Sequence, residues 1–293
     1  MTRRTTVPAF SDHRRDHGEL LYVYPVVSRR AGGLSIGINL NPDKVCNFAC
    51  AYCQVDHQTP PRTRTVDLDV LESELREVVE QVGSGELWTL PRFASTPEPL
   101  RRLNDFAFSG DGEPTTYSGF EEAVERVIRV REEAELVHAK VVLITDAACL
   151  HHAHVRRGLS RMDDAMGEIW GKLDVGTAEA YERVNRTLVP FKRVLKNLAE
   201  ATSVRPIVIQ TMMLRINGHP PPPQEVQAYV ARLQELEERG ALKEIHIYTV
   251  ARTPMEPWCT PLSDEELDAI VAEVTEGVSA PVRGFYGPPE GAR

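Results

Sequence analysis

No run in the 293 residues approaches the roughly 18 uninterrupted apolar residues that a membrane-spanning helix needs; the apolar runs are strand-sized. The basic start, Met1 to Pro8, is not followed by an apolar region, so a secretory signal is not expected. The sequence also lacks a repeated motif and any long low-complexity tract. Cysteine is scarce and uneven, with three of the five between Cys46 and Cys53 and the others at Cys149 and Cys259. An odd, clustered set argues against a disulfide framework. It fits a reducing cytoplasm, where thiols are kept for chemistry. A chain of this length needs no such staples to bury a core.

Positive charge is in deficit. There are 34 basic and 43 acidic residues, a formal net charge of −9, with 42% hydrophobic and 26% charged residues, the mix of an ordinary globular protein. The deficit is uneven, because residues 1–64 hold nine Lys and Arg against five acids. Arg3, Arg4, Arg14, Arg15, Arg29 and Arg30 could form a basic face for an anionic partner, or could be solvated surface.

Strand-like and helix-like stretches alternate. Short apolar runs predict strands over 33–40, 105–108, 140–145, 168–175, 205–213 and 243–250. Apolar residues at helical spacing predict helices over 67–82 (with acids opposite the apolar face), 120–130, 191–201, 223–238 and 263–278. The last carries Ser263 and Glu266 at capping-box positions. Six β/α units point to an α/β fold, a partial (β/α)6 TIM-like barrel with a C-terminal helical extension. The expected division is an N-terminal extension over 1–30, a core barrel over 31–255 and an extension over 256–293. In such barrels the chemistry sits on loops after the C-terminal strand ends. Residues 83–102 read as a long irregular insertion, a lid or binding loop or else an inert one.

Cys46, Cys50 and Cys53 follow the first expected strand, spaced four and three residues apart. Three thiols at that pitch point to a soft or borderline metal. Two readings stand open. Zinc could take the three thiolates with His57, in a zinc-stabilised binding module. An iron–sulfur cluster could take them and leave one iron open to a substrate or cofactor. His151, His152 and His154 read as surface residues or as groups near the site or a metal, and Cys149 and Cys259 as free buried thiols or as a hydrogen donor or ligand toward substrate.

Cys-x3-Cys-x2-Cys with Tyr52 before the last cysteine resembles the radical S-adenosylmethionine (SAM) superfamily. The resemblance implies a 4Fe–4S cluster on these cysteines, SAM on the open iron, and a 5′-deoxyadenosyl radical that abstracts hydrogen from substrate. It also implies an electron donor such as a flavodoxin or ferredoxin. Gly110, Asp111, Gly112 and Glu113 match the superfamily's Gly-Gly-Glu motif, which binds the SAM ammonium. Thr145, Asp146, Lys172 and Asp174 fall where family members contact the SAM ribose and carboxylate, and Lys172 and Asp174 alternate to one side of a strand, where they could instead form a buried pair with a structural role only. Gln210 lies on the fifth strand, and Tyr248 and Thr249 on the sixth could line an adenine pocket.

Over about residues 30–275, the Ser-Gly-Asp-Gly-Glu-Pro-Thr stretch, the Lys-Leu-Asp-x-Gly segment and the run Tyr181 to Arg186 are similar to Fe–S oxidoreductases related to the wyosine-base synthases of tRNA. That likeness implies a tRNA nucleoside as one substrate class, beside a small molecule or a peptide. The synthases carry a second cluster on upstream cysteines and an active-site lysine. In this sequence no cysteine precedes Cys46, and Lys44 is the only lysine before it. The resemblance assigns no catalytic residue toward the substrate.

Overall fold

The structure is a computed structural model that describes residues 15, 17–252, 254 and 256–287; Arg3, Arg4 and Arg14 lie outside them. The chain divides into two units. One comprises Met1–Val45, Thr59–Leu143 and Ala153–Glu168, the other Cys46–Gln58, Ile144–His152 and Ile169–Arg293.

In the first unit, β1 (Val23–Ser28) runs antiparallel to β2 (Gly33–Ile38), from Val23 opposite Ile38 to Ser28 opposite Gly33. β1 was not expected from the sequence. α1 (Leu68–Ser84) leads to β3 (Leu103–Phe108), parallel to β2, and α2 (Phe120–Glu133) leads to β4 (Lys140–Thr145), parallel to β3. α3 (Ala153–Asp163) then precedes β5 (Gly167–Lys172). All six residues of β2 are buried, as expected of a strand covered on both faces, and Ser35 is its one polar side chain. Leu71, Leu75 and Val78 of α1 and Phe120, Val124 and Val127 of α2 complete this core. Full burial of such a side chain stabilises by roughly 1.5–3 kcal/mol.

α1 starts where the sequence predicts it. Asp67 accepts hydrogen bonds from the N–H groups of Asp69 (3.0 Å) and Val70 (3.2 Å), and Gly85 ends the helix at φ 81°. The expectation that its acids all lie opposite the apolar face is corrected at Glu74. That side chain is buried, and its carboxylate accepts the N–H groups of Leu21 (2.7 Å), Tyr22 (2.8 Å) and Val23 (3.2 Å), fixing the entry to β1. The 83–102 segment is irregular as expected but packed. Leu87 and Phe93 are fully buried, and Trp88 meets Phe93 edge-on at 6.4 Å.

A buried polar group lies near the start of β3. Asp105 accepts the Ser35 hydroxyl, and Lys140 bonds Glu168 at 2.6 Å. Burial pushes the Asp105 carboxyl up to about 6 from an ordinary 3.8. The Ser35 hydroxyl and the Lys140 and Arg30 cations oppose that rise, and Glu168 adds to it. The folded chain therefore holds a proton that the unfolded chain releases earlier, and stability falls as pH rises from about 4 to about 6. The gap corresponds to about 3 kcal/mol. Asp105→Asn is expected to unfold at a higher temperature than wild type at pH 8, with the difference vanishing near pH 4. A difference independent of pH would contradict the assignment.

In the second unit, β6 (Ile207–Met212) is parallel to β5, β8 (Leu242–Tyr248) to β6, and β10 (Val282–Phe285) to β8. A separate antiparallel pair joins β7 (Leu214–Ile216) to β9 (Cys259–Pro261). The helices are α4 (Ala178–Val184), α5 (Phe191–Val204), α6 (Pro223–Arg239) and α7 (Asp264–Gly277). α7 opens on the expected capping box, Ser263 with Glu266. The C-terminal extension was expected to be helical. It also carries β10, whose pairing with β8 covers an edge that would otherwise expose its backbone groups. Both units thus show parallel strands linked through helices, the α/β succession of a partial (β/α) barrel. Among the described residues no helix is long and apolar enough to cross a membrane.

Candidate functional site

In the first unit, β3 ends at Phe108 and the glycine-rich segment turns against the chain leaving β2. A Cβ at Gly110 would lie 2.3 Å from Asn39 Oδ1, and one at Gly112 would lie 1.9 Å from the Val45 carbonyl oxygen. Only glycine allows that approach, so these two residues seat residues 39–45. Asn39 Oδ1 also accepts the N–H groups of Asn41 (3.0 Å) and Asp111 (3.2 Å). Asp111 pairs with Arg15 at 2.7 Å and accepts Asn39 Nδ2 at 2.9 Å. Glu113 is buried and caps the short 3-10 turn Pro114–Thr116, its Oε1 accepting the Thr115 N–H (3.1 Å) and hydroxyl.

In the second unit the cysteine loop is tethered by its backbone. Ala51 N donates to Val184 O at 2.8 Å, Ala49 N lies 3.3 Å from Asn185 O and Arg186 O, and Cys53 N donates to Cys50 O at 2.9 Å. Side chains add to this: Thr187 donates to Asn47 O at 2.7 Å, Gln54 to Arg252 O at 3.0 Å, and Phe48 meets Tyr181 edge-on. None of the three thiols is in a disulfide; Cys46 is exposed and Cys50 and Cys53 are half-buried. Cys53 Sγ lies 3.8 Å from His57 Nε2, the pairing that the zinc reading requires. Among the described residues no three His, Cys, Asp or Glu side chains stand arranged around one point as metal ligands. Burial, with the Asp174 carboxylate adding to it, pushes the Cys50 thiol up to about 12. A bound cation would be needed to supply the charge that makes it a thiolate.

Asp174 joins this loop to the end of β5. Its side chain is fully enclosed. One oxygen accepts the Tyr52 hydroxyl and Asn185 Nδ2 (2.8 Å), while the other accepts Met212 N (2.9 Å) and faces Lys172 Nζ (3.3 Å). Lys172 also donates to the Tyr248 hydroxyl at 3.0 Å and lies 4.8 Å from the centre of the Tyr52 ring. Burial by itself would lower the Lys172 ammonium. The Asp174 carboxylate outweighs it, with Tyr248 and Cys50, and the net direction is upward. Burial, followed by Asp174, raises the Tyr52 phenol well above its ordinary value.

The structure thus brings Cys50, Tyr52, Lys172, Asp174 and Tyr248 together. Thr145 and Asp146 form the turn after β4, accepting the N–H groups of Ala147 (3.0 Å) and Ala148 (2.8 Å). Gln210 is buried within β6, and Thr249 accepts Leu262 N at 2.9 Å. Of the bystander cysteines, Cys149 accepts Asn47 Nδ2 at 3.3 Å, and Cys259 is buried in β9. His151 lies 3.2 Å from Asn197 Nδ2, and His154 falls inside α3. Sequence reasoning missed Asn185, although the run Tyr181 to Arg186 was singled out. A buried polar residue just past a helix C-terminus is the signal that could have found it. It also missed the group in which Arg186 pairs with Glu256 at 2.6 Å and lies 5.0 Å from the Trp258 ring.

The model of the radical SAM superfamily matches residues 40–220, which include the cysteine loop, the glycine-rich segment and the β5 end. Among curated proteins, the chain is 22% identical to a GTPase Obg of Brachyspira hyodysenteriae over 184 residues, covering 59% of this chain and 23% of that protein. It is 23% identical to a UPF0026 protein of Helicobacter pylori over 177 residues, covering 60% of this chain and 48% of that protein. The chain therefore spans about a quarter and about half the length of these relatives. Among solved structures, Streptococcus suis SuiB bound to S-adenosylmethionine gives a TM-score of 0.59 at 11% identity, over 89% of this chain and 53% of that one. TYW1 with a lysine-pyruvate adduct gives 0.53 at 14% identity, over 84% and 74%. anSMEcpe with bound AdoMet gives 0.56 at 14% identity, over 85% and 63%. At such identities the likeness is one of fold, and it covers most of this chain. The family match takes in more than half of the residues, so the chain belongs to the radical SAM superfamily.

Proposed function

We propose that this chain is an enzyme that binds one 4Fe–4S cluster through Cys46, Cys50 and Cys53 and binds SAM. The observation that carries the reading is the cysteine loop itself, with three thiols outside any disulfide within eight residues on a backbone tethered at Ala49 and Ala51. The donor set suits the cluster, because thiolates favour iron–sulfur sites and neither remaining cysteine lies on the same loop. Cluster and SAM, when bound, supply reductive cleavage to a 5′-deoxyadenosyl radical for hydrogen abstraction from substrate. The chain's residues bind and orient. Asp111 and Glu113 serve the SAM ammonium, with Gly110 and Gly112 keeping the turn close to residues 39–45. Thr145, Asp146 and Lys172 serve the ribose and carboxylate, and Gln210, Tyr248 and Thr249 the adenine side. Asp174 acts through Lys172 and Tyr52, because its own oxygens are taken up by protein partners.

If Glu113 receives the ammonium, Glu113→Gln should keep the iron and weaken SAM binding by roughly 1.5–3 kcal/mol, the range of a hydrogen bond to a charged group. Equilibrium binding of SAM to the iron-loaded protein checks this. Unchanged affinity would leave the segment as a turn only.

We further propose a tRNA nucleoside as substrate, supported by the motif likeness to wyosine-synthase relatives and the fold likeness to TYW1. A flavodoxin or ferredoxin would serve as electron donor, and the cytoplasm as location. Comparison of tRNA nucleosides and small metabolites with and without the gene tests the substrate. A missing modified nucleoside supports it, whereas an unchanged tRNA pool with an altered metabolite overturns it. The 3.8 Å approach of His57 to Cys53 favours the zinc-stabilised module as the second reading. Metal analysis decides between the two.

A further inference from the structure

We propose that Asn185 is a positioning residue for the cysteine loop, one whose amide sets the reduction potential of the metal centre bound there. The proposal rests on the cluster reading given above. Asn185 follows the last turn of α4, where its N–H closes onto Tyr181 O at 2.9 Å. Its side chain is buried. From that place it meets two other elements. Its carbonyl oxygen lies 3.3 Å from Ala49 N, and its Nδ2 reaches Asp174 Oδ2 at 2.8 Å and Cys50 Sγ at 3.8 Å.

The orientation of the amide follows from charge. An amide presents two N–H donors on one side and a carbonyl on the other. Turning it over would set the carbonyl oxygen against the enclosed Asp174 carboxylate, an acceptor against an acceptor. The nitrogen therefore faces Asp174, even though Oδ1 is buried without a hydrogen-bond partner among the described residues. With one N–H spent on Asp174, the second is left for the Cys50 sulfur. The Asp174 anchor just past β5 and the loop contact through Ala49 hold this donor against two separate parts of the site.

An N–H aimed at a ligating sulfur stabilises the more negative, reduced state of an iron–sulfur centre and raises its potential. The bond strengthens when the thiol becomes a thiolate, because the acceptor then carries charge. Asn185 needs no contact with substrate to have this effect.

The test compares wild type with Asn185→Ala, Asn185→Asp and Asn185→Ser. Each is loaded anaerobically with iron and sulfide, and each is read without SAM by iron content, thermal midpoint and a redox titration followed by electron paramagnetic resonance. Asn185→Ala is expected to shift the cluster midpoint to lower potential. Asn185→Asp should shift it further, since a carboxylate replaces a donor. Asn185→Ser, which keeps one donor, should recover part of the wild-type value. Failure of the Ala and Asp variants to retain iron at a wild-type thermal midpoint, with iron retained by Ser, also supports the role. A wild-type potential in loaded Ala and Asp variants overturns it, as does equal loss of fold or iron in all three. Iron in the wild type with an unmoved potential refutes Asn185 alone. No iron in the wild type refutes the cluster reading, and this inference with it.

Discussion

Cys46→Ala, Cys50→Ala and Cys53→Ala are each expected to lose the cluster and, with it, all reductive cleavage of SAM to 5′-deoxyadenosine. The effect should be total. Removing one thiolate of three exposes a second iron and takes away an anionic ligand that nothing on the loop replaces. Cys149→Ala and Cys259→Ala should keep both the iron and the cleavage. Cys149 is engaged by Asn47 at 3.3 Å, and Cys259 is buried in β9. His57→Ala should likewise keep its iron, whereas a Cys3His zinc site would lose its fourth ligand. Iron content by chemical assay and 5′-deoxyadenosine by chromatography check the set. Loss of iron from Cys149→Ala or Cys259→Ala as complete as from Cys46→Ala would mean a fourth protein ligand. No iron would then be open to SAM.

Asp174→Ala is expected to destabilise the fold by about 3–5 kcal/mol, the cost of removing one partner from a buried ion pair. The carboxylate is fully enclosed, and its loss strands the Lys172 ammonium, the Tyr52 hydroxyl, Asn185 Nδ2 and the Met212 N–H at once. Domains typically hold only about 5–15 kcal/mol in all, so the change is a large share. Combining it with Lys172→Met should recover part of the loss, because the uncompensated cation goes too. Urea unfolding of the two single variants and the double variant gives the coupling directly. A cost below about 1 kcal/mol for Asp174→Ala, in the range of an exposed pair, would contradict the role given to this residue.

Legibility in the sequence followed the physics of each feature. The cysteine loop and the Ser263 capping box depend on local spacing, and both could be read, as could the start of α1 at residue 67. β4 matched its expected bounds because its apolar run is unbroken between turns. β1 was hidden by Pro25, which weakens a strand signal yet is tolerated on a strand paired on one side. α4 is seven residues long and β10 four, too short for a periodic pattern, and Gly284 interrupts the latter. Glu74 looked like one more surface acid, since nothing local reveals that three backbone N–H groups of residues 21–23 converge on it. The pairing of Lys172 with Asp174 could be read from alternation. That Asp174 also holds Tyr52, Asn185 and Met212 depends on chain segments that only the fold brings back. The glycines of the Gly-Asp-Gly-Glu segment were read through the likeness to a motif that binds the SAM ammonium. In the fold they also make room for Asn39 and the Val45 carbonyl.

The central claim is tested most directly by anaerobic reconstitution of the wild-type chain with iron and sulfide, followed by metal analysis and incubation with SAM and dithionite. The account predicts a brown protein with about four irons per chain that releases 5′-deoxyadenosine from SAM. A colourless protein that holds a single zinc and leaves SAM intact would contradict it.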